Sequence, residues 1–186
     1  MDAPAVGPDP PRQPELRLTS YDAGDFDRAV ALVSVEPSPR ALVERLGLDW
    51  EYLEWLAADA SATVLGEAEG RGVVVSYGGE AFTAGFLIGV HLRDGPRPEA
   101  ALLAVAVDAV QERGRDAVIA DQCDLASVAR LETLYSDALV ESMAVADEER
   151  EVLRAPVTRI FEAGLAVGLE LGSSDGGDGE LGPEQP

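Results

Sequence analysis

The chain contains no lysine and no asparagine, one cysteine, one histidine and two methionines. Each gap closes off a class of chemistry. Without Lys there is no Walker phosphate loop, and with GxGxxG also absent, Gly78 and Gly79 make only a loose phosphate-loop pattern. A lone cysteine cannot form an internal disulfide, and Cys123 stands in DQCD between carboxylates, which raise its pKa and oppose a thiolate. The single His91 lies in an apolar stretch and reads as a packed residue rather than a base. No Cys, His and acid set has zinc-binding spacing. Asp121 with Asp124, and the run Asp147, Glu148, Glu149, read as solvated acidic faces without EF-hand spacing. The expectation is therefore no catalytic, cofactor-binding or metal-binding residues. The longest apolar stretches, 82–92 and 155–169, fall short of the ~20 residues that span a bilayer. The N-terminus MDAPAVGPDPPRQPE has no signal-peptide character, so a cytoplasmic location is expected.

What the chain does have is acid: 35 Asp and Glu against 14 basic residues, all of them Arg, for a net charge of −21. Residues 19–172 alone hold 28 acidic residues and 12 Arg, a net −16, so the bias belongs to the folded surface. Such a surface repels itself in dilute buffer, whereas ~1 M salt shrinks the Debye length to about 3 Å and removes most of that cost. The composition resembles that of proteins from salt-in halophilic archaea. It makes polyanions, nucleic acid included, unfavourable partners.

Residues 1–18 are proline-rich and 172–186 are Gly-rich and acidic. Neither has the apolar content to offset its ordering entropy, so both ends are expected to be disordered. Between them, apolar residues recur at helical spacing. This predicts a mainly α fold: one compact helical domain over 19–171 with five to six helices. Asp25 is the expected cap of the first. Ser38, Pro39, Gly47 and Asp49 punctuate a helical hairpin over 38–59. The β-branched runs and glycines of 62–77 predict a small β-hairpin, and residues 116–120 fit a short strand or a helical turn. Pairing of these two would make the fold α+β, the alternative class. Gly78 and Gly79 are expected to break the chain before a helix from Glu80 to Leu92. Further helices follow from Glu99, from Asp124, and to the end near Gly172, with Pro156 inside or kinking the last.

Two features carry information beyond composition. FTAGFLIGVHL at 82–92 and FEAGLAVGLEL at 161–171 share Phe, Ala, Gly, Gly and Leu at identical offsets. Gly at i and i+4 clears a strip along a helix so that another backbone can approach. Gly85, Gly89, Gly164 and Gly168 are thus candidates for a helix crossing within the chain or for a homodimer seam. An ancestral duplication is a further explanation of the shared positions. The second feature is the aromatic cluster Trp50, Tyr52 and Trp55, a candidate protein contact.

The stretch ALVERLGLDWEYLEWL resembles the helix-turn-helix of bacterial and archaeal transcription regulators, with Leu42, Leu46, Leu48, Leu53 and Leu56 at core positions and Gly47 at the turn. The resemblance implies a DNA-binding second helix. That helix instead offers Asp49, Glu51, Glu54 and Asp59, where phosphate and base contacts call for basic or amide side chains. The functional expectation is a non-enzymatic cytoplasmic protein that acts through protein contacts, with an unknown partner or a second copy of itself. A transcription regulator and an enzyme with a site assembled from scattered Arg and carboxylates are the alternatives.

Overall fold

A computed structural model describes residues 20–35, 38–65, 71–92, 99–143 and 146–173, without the side chains of 65 and 71–76. The terminal segments lie outside the described residues. Among the described residues eight α-helices follow one another: α1 Ala23–Val35, α2 Pro39–Arg45, α3 Trp50–Leu65, α4 Arg71–His91, α5 Leu103–Arg113, α6 Arg115–Gln122, α7 Leu125–Ser142 and α8 Asp147–Ser173. A 3-10 turn, Ala100–Leu102, leads into α5. The class is mainly α, with more helices than the sequence pattern suggested.

The capping residues explain most of the boundaries. Ser38 accepts a hydrogen bond from the Ala41 amide with Pro39 in the first helical position of α2. Gly47 has φ +76°, the left-handed conformation that favours glycine, and Asp49 accepts from the amides of Glu51 and Tyr52 to start α3. Asp124 starts α7 by accepting from both the amide and the hydroxyl of Ser127. At α1 the expected cap is corrected: Asp22, not Asp25, takes the amides of Gly24 and Asp25, while Asp25 accepts from the Asp22 amide. This is a reciprocal capping box with the shorter acid in both places.

The β-hairpin expected at 62–77 is not formed. Residues 62–65 end α3 and 71–77 begin α4, while 66–70 lie outside the described residues. No strand occurs among the described residues, only one isolated parallel bridge between Tyr21 and Cys123, so the α+β alternative is also overturned. Residues 116–120 are helical, within α6. Gly78 and Gly79 do not break the chain but lie inside α4. Packing outweighs propensity here: a Cβ built on Gly78 would lie 3.2 Å from the Ser61 Cβ of α3 and collide with its hydroxyl oxygen. The two helices can close against each other only because that side chain is missing.

The centre of the molecule is the crossing of α4 and α8, its most extensive helix pairing. Phe82, Phe86, Phe161, Leu165 and Leu169 are buried there. The crossing is reciprocal. A Cβ on Gly85 would strike backbone at Phe161 and Leu165; one on Gly164, 79 residues later, would strike backbone at Phe82 and Phe86. Gly89 likewise faces Leu165 and Leu169, while Gly168 faces Phe86 and Val90. Each contact returns with the two helices exchanged, which is the relation of a local twofold axis.

The rest of the chain repeats around that axis. Helices α1, α2 and α3 pack on α4, and α5, α6 and α7 pack on α8 in the same order. The buried serines Ser61 and Ser136 each stand twelve residues after a capping aspartate, Asp49 and Asp124. Two four-helix halves therefore share one hydrophobic core.

Candidate functional site

The four glycines singled out by the repeat are all buried in the α4–α8 crossing, so none of them lies on an open surface. The aromatic cluster is divided between two sides of α3. Trp50 is half-buried and packs against the core. Tyr52 is half-buried and stacks on Trp55, their ring centroids 5.9 Å apart and their planes within 8°. Trp55 is 59% exposed. Leu53, Leu56 and Ala57 of the same helix are buried, which turns Glu51, Glu54 and Asp59 to solvent beside Trp55.

Between α3 and α4 lies a groove of about 300 Å³. Pro39, Trp50, Glu54, Ala57, Glu80 and Thr83 line it. Gly79 also lines it, and a Cβ there would meet nothing within 4 Å. Neither the Glu54 nor the Glu80 carboxylate has a hydrogen-bond or ion-pair partner among the described residues. Arg40, next to Pro39, is ion-paired with Glu44 at 2.7 Å and is attracted more weakly by Glu54 and Glu51.

A second groove, of about 510 Å³ and shallower, lies between α6 and α8. Part of its lining corresponds to that of the first under the internal twofold. Pro39 and Arg115 are the first residues of α2 and α6. The shift of 79 residues that relates the glycines takes Gly79, Glu80 and Thr83 to Thr158, Arg159 and Glu162, which line the second groove with Arg115. Ala57 corresponds to Glu132, each eight residues after its capping aspartate.

This second groove is filled with charge. Arg115 donates to the Arg159 carbonyl at 3.3 Å and pairs with Glu162 at 3.2 Å and Asp116 at 2.9 Å. Glu132 is pushed up to about 7 by burial first, and then by the adjacent Glu162. Glu162 is raised too, mainly by burial, with Arg115 opposing. The two carboxyls are thus close enough to hold one proton between them near neutral pH. Arg154, on the same groove, is ion-paired with Asp137. Thr158 is hydrogen-bonded to Ser136 at 2.7 Å.

No family model matches the chain, and neither a curated protein nor a solved structure is similar to it.

The remaining polar candidates have structural roles. Cys123 is buried, and the loss of solvation raises its thiol to about 12, a different cause from the neighbouring carboxylates expected from the sequence. His91 donates from Nδ1 to the Leu87 carbonyl of its own helix at 2.8 Å. Among the described residues no three His, Cys, Asp or Glu side chains come together as a metal-ligand group, and no helix is long and apolar enough to cross a membrane. Glu132, Glu162 and Arg115 escaped the sequence reading because they come from three separate helices, and Gly79 was read as a break in the chain rather than as the lining of a groove. The offset of 79 residues was the one available signal, since it is set by the repeated FxAGxxxGxxL.

Proposed function

We propose that this chain is a non-enzymatic cytoplasmic protein, surface-adapted to molar salt, that works by binding another protein through the outer side of α3. The observation that carries the reading is Trp55, more than half exposed and held in a stack with Tyr52. Exposed tryptophan is a frequent energetic anchor of protein interfaces, and a ring already fixed by stacking loses little freedom on binding. The non-enzymatic part is supported by the second groove, whose guanidiniums at Arg115 and Arg154 are already committed to carboxylates of the same chain. DNA is the weaker partner because Glu51, Glu54 and Asp59 surround the exposed face of α3.

Light scattering on protein prepared in molar KCl from the cells that make it tests this reading. The native chain should run as a complex with a second protein, Trp55→Ala as the single chain, and Leu134→Ala, which trims an exposed leucine on α7, as the complex. A mass of two identical chains would place the homodimer ahead of a different partner. A single chain in every case, or a complex indifferent to Trp55→Ala, would remove the reading.

A further inference from the structure

We propose that the groove between α3 and α4 receives an arginine side chain of the partner protein, its guanidinium set against Trp50 and between Glu54 and Glu80. This rests on the protein-binding reading and names the chemistry of the partner. Three observations carry it.

The first is Gly79. Glycine inside a helix costs about 1 kcal/mol relative to Ala, so it calls for a reason. Gly78 has one in Ser61, and the four glycines of the crossing have theirs in opposing backbone. A Cβ on Gly79 meets nothing within 4 Å among the described residues, and the position opens into the groove. The packing of the chain itself therefore gives no reason for glycine there, whereas a visiting side chain that passes close to the α4 backbone does.

The second is charge. Glu54 and Glu80 line the groove with Ala57 and Trp50, and among the described residues neither carboxylate is ion-paired or hydrogen-bonded to a cation; Arg40, paired with Glu44, acts on Glu54 only at longer range. An aromatic wall with carboxylates beside it suits a guanidinium, which stacks on rings and pairs with carboxylates in one plane.

The third is the other half of the molecule. At the position of Pro39 the second half carries Arg115, and its guanidinium pairs with Glu162 in the equivalent groove. The second half thus accommodates an arginine side chain in the corresponding place, although the carboxylate it meets, Glu162, stands at the position of Thr83 and not of Glu80. Glu162 lines that groove where the first half has Thr83, and Glu132, adjacent to Glu162, stands where the first half has Ala57.

The test uses the full chain with Trp55→Phe, so that emission reports Trp50, titrated in molar KCl with a blocked pentapeptide Gly-Ala-Arg-Ala-Gly and its norleucine counterpart. The arginine peptide should change Trp50 emission saturably, and the norleucine peptide should bind about tenfold more weakly or not at all. Glu54→Gln with Glu80→Gln should weaken the arginine peptide by about tenfold. Gly79→Ala should melt higher than the parent yet bind more weakly, a pairing of effects that a misfolded variant cannot give. Equal binding of the two peptides, or no saturable response, overturns the proposal. So does a shift of Trp50 emission on replacing Arg12 and Arg17 by Ala without peptide, since the occupant is then the chain's own N-terminal segment. If the peptide fails while Trp55→Ala still dissolves the complex, the groove proposal falls and the protein-binding reading stands.

Discussion

Glycine works in opposite senses at different positions of this chain. At Gly168 a Cβ would lie 3.0 Å from both the Phe86 carbonyl carbon and the Val90 nitrogen, and nearer still to the Phe86 oxygen. These are backbone atoms of a buried helix and have little room to give. Gly168→Ala should therefore destabilise the fold by about 3 kcal/mol, as overpacking of a tight core does, although helix propensity alone would reward the change by about 1 kcal/mol. Urea unfolding in molar KCl reads the sign directly, and a midpoint at or above that of the parent would mean that α4 and α8 do not cross so closely. Gly85→Ala should behave in the same way, since its Cβ would lie 2.9 Å from the Leu165 nitrogen.

Glu132 gives the residue-scale prediction that depends on pH. Its carboxyl, about 7 in the fold against an ordinary 4.5, binds its proton more tightly when folded. The folded state then carries more protons than the unfolded one between these values, so stability falls as pH rises across that window and levels off above it. Glu162, raised in the same direction, adds to the slope, with Arg115 restraining it. Glu132→Gln should flatten the decline in melting temperature from about pH 5 to about pH 8 and melt higher than the parent at the upper end. Parallel profiles for the two proteins would show that Glu132 is not a member of a proton-sharing pair.

At the scale of elements, the boundaries written in capping chemistry were legible and those set by packing were not. Ser38, Pro39, Gly47, Asp49 and Asp124 punctuate the structure as their side chains and backbone preferences dictate. Ser38→Ala should accordingly cost about 1 kcal/mol by orphaning the Ala41 amide, and Ser38→Gly only a few tenths; equal urea midpoints for Ser38→Ala and the parent would show that α2 is held by its contacts with α4 alone. The region 62–77 misled because Gly66, Gly70 and Gly72 beside β-branched residues carry the local signature of a turn between strands. Gly78 and Gly79 then read as a break. The Ser61 side chain that gives Gly78 its reason lies seventeen residues away in sequence, on another helix, and no local window contains both. The candidate site was less legible still. The repeat FxAGxxxGxxL pointed to the crossing, but the grooves draw on α2, α3 and α4 in one half and on α6 and α8 in the other. Single residues there, such as Glu80 and its counterpart Arg159, differ in charge and conceal the relation.

Over the whole molecule, two halves that pack alike have been given different chemistry. The second groove neutralises itself with Arg115 and Glu162, while in the first Glu54 and Glu80 form no ion pair among the described residues. The unpaired acids belong to a surface that is acidic throughout, with −16 on residues 19–172. That charge has to be accommodated by the solution, because ion pairs such as Arg40–Glu44 and Arg115–Glu162 cannot offset it with only 12 Arg in those residues. At about 0.1 M salt the Debye length is near 10 Å, so neighbouring carboxylates across the surface feel one another; at about 1 M it is near 3 Å and only adjacent groups do. The closely crossed α4–α8 pair is surrounded by elements that bear this repulsion, among them α3 with Glu51, Glu54 and Asp59 and α8 with Asp147, Glu148 and Glu149 at its start. Helical content and melting temperature, followed by circular dichroism, should therefore rise together from about 0.1 M to about 3 M KCl. An isotonic rise in sucrose, which strengthens burial without screening charge, should recover much less of the stability if screening is the cause. Equal melting temperatures at the two salt concentrations would show that the acidic surface costs the fold nothing, and the salt adaptation would then have to be abandoned.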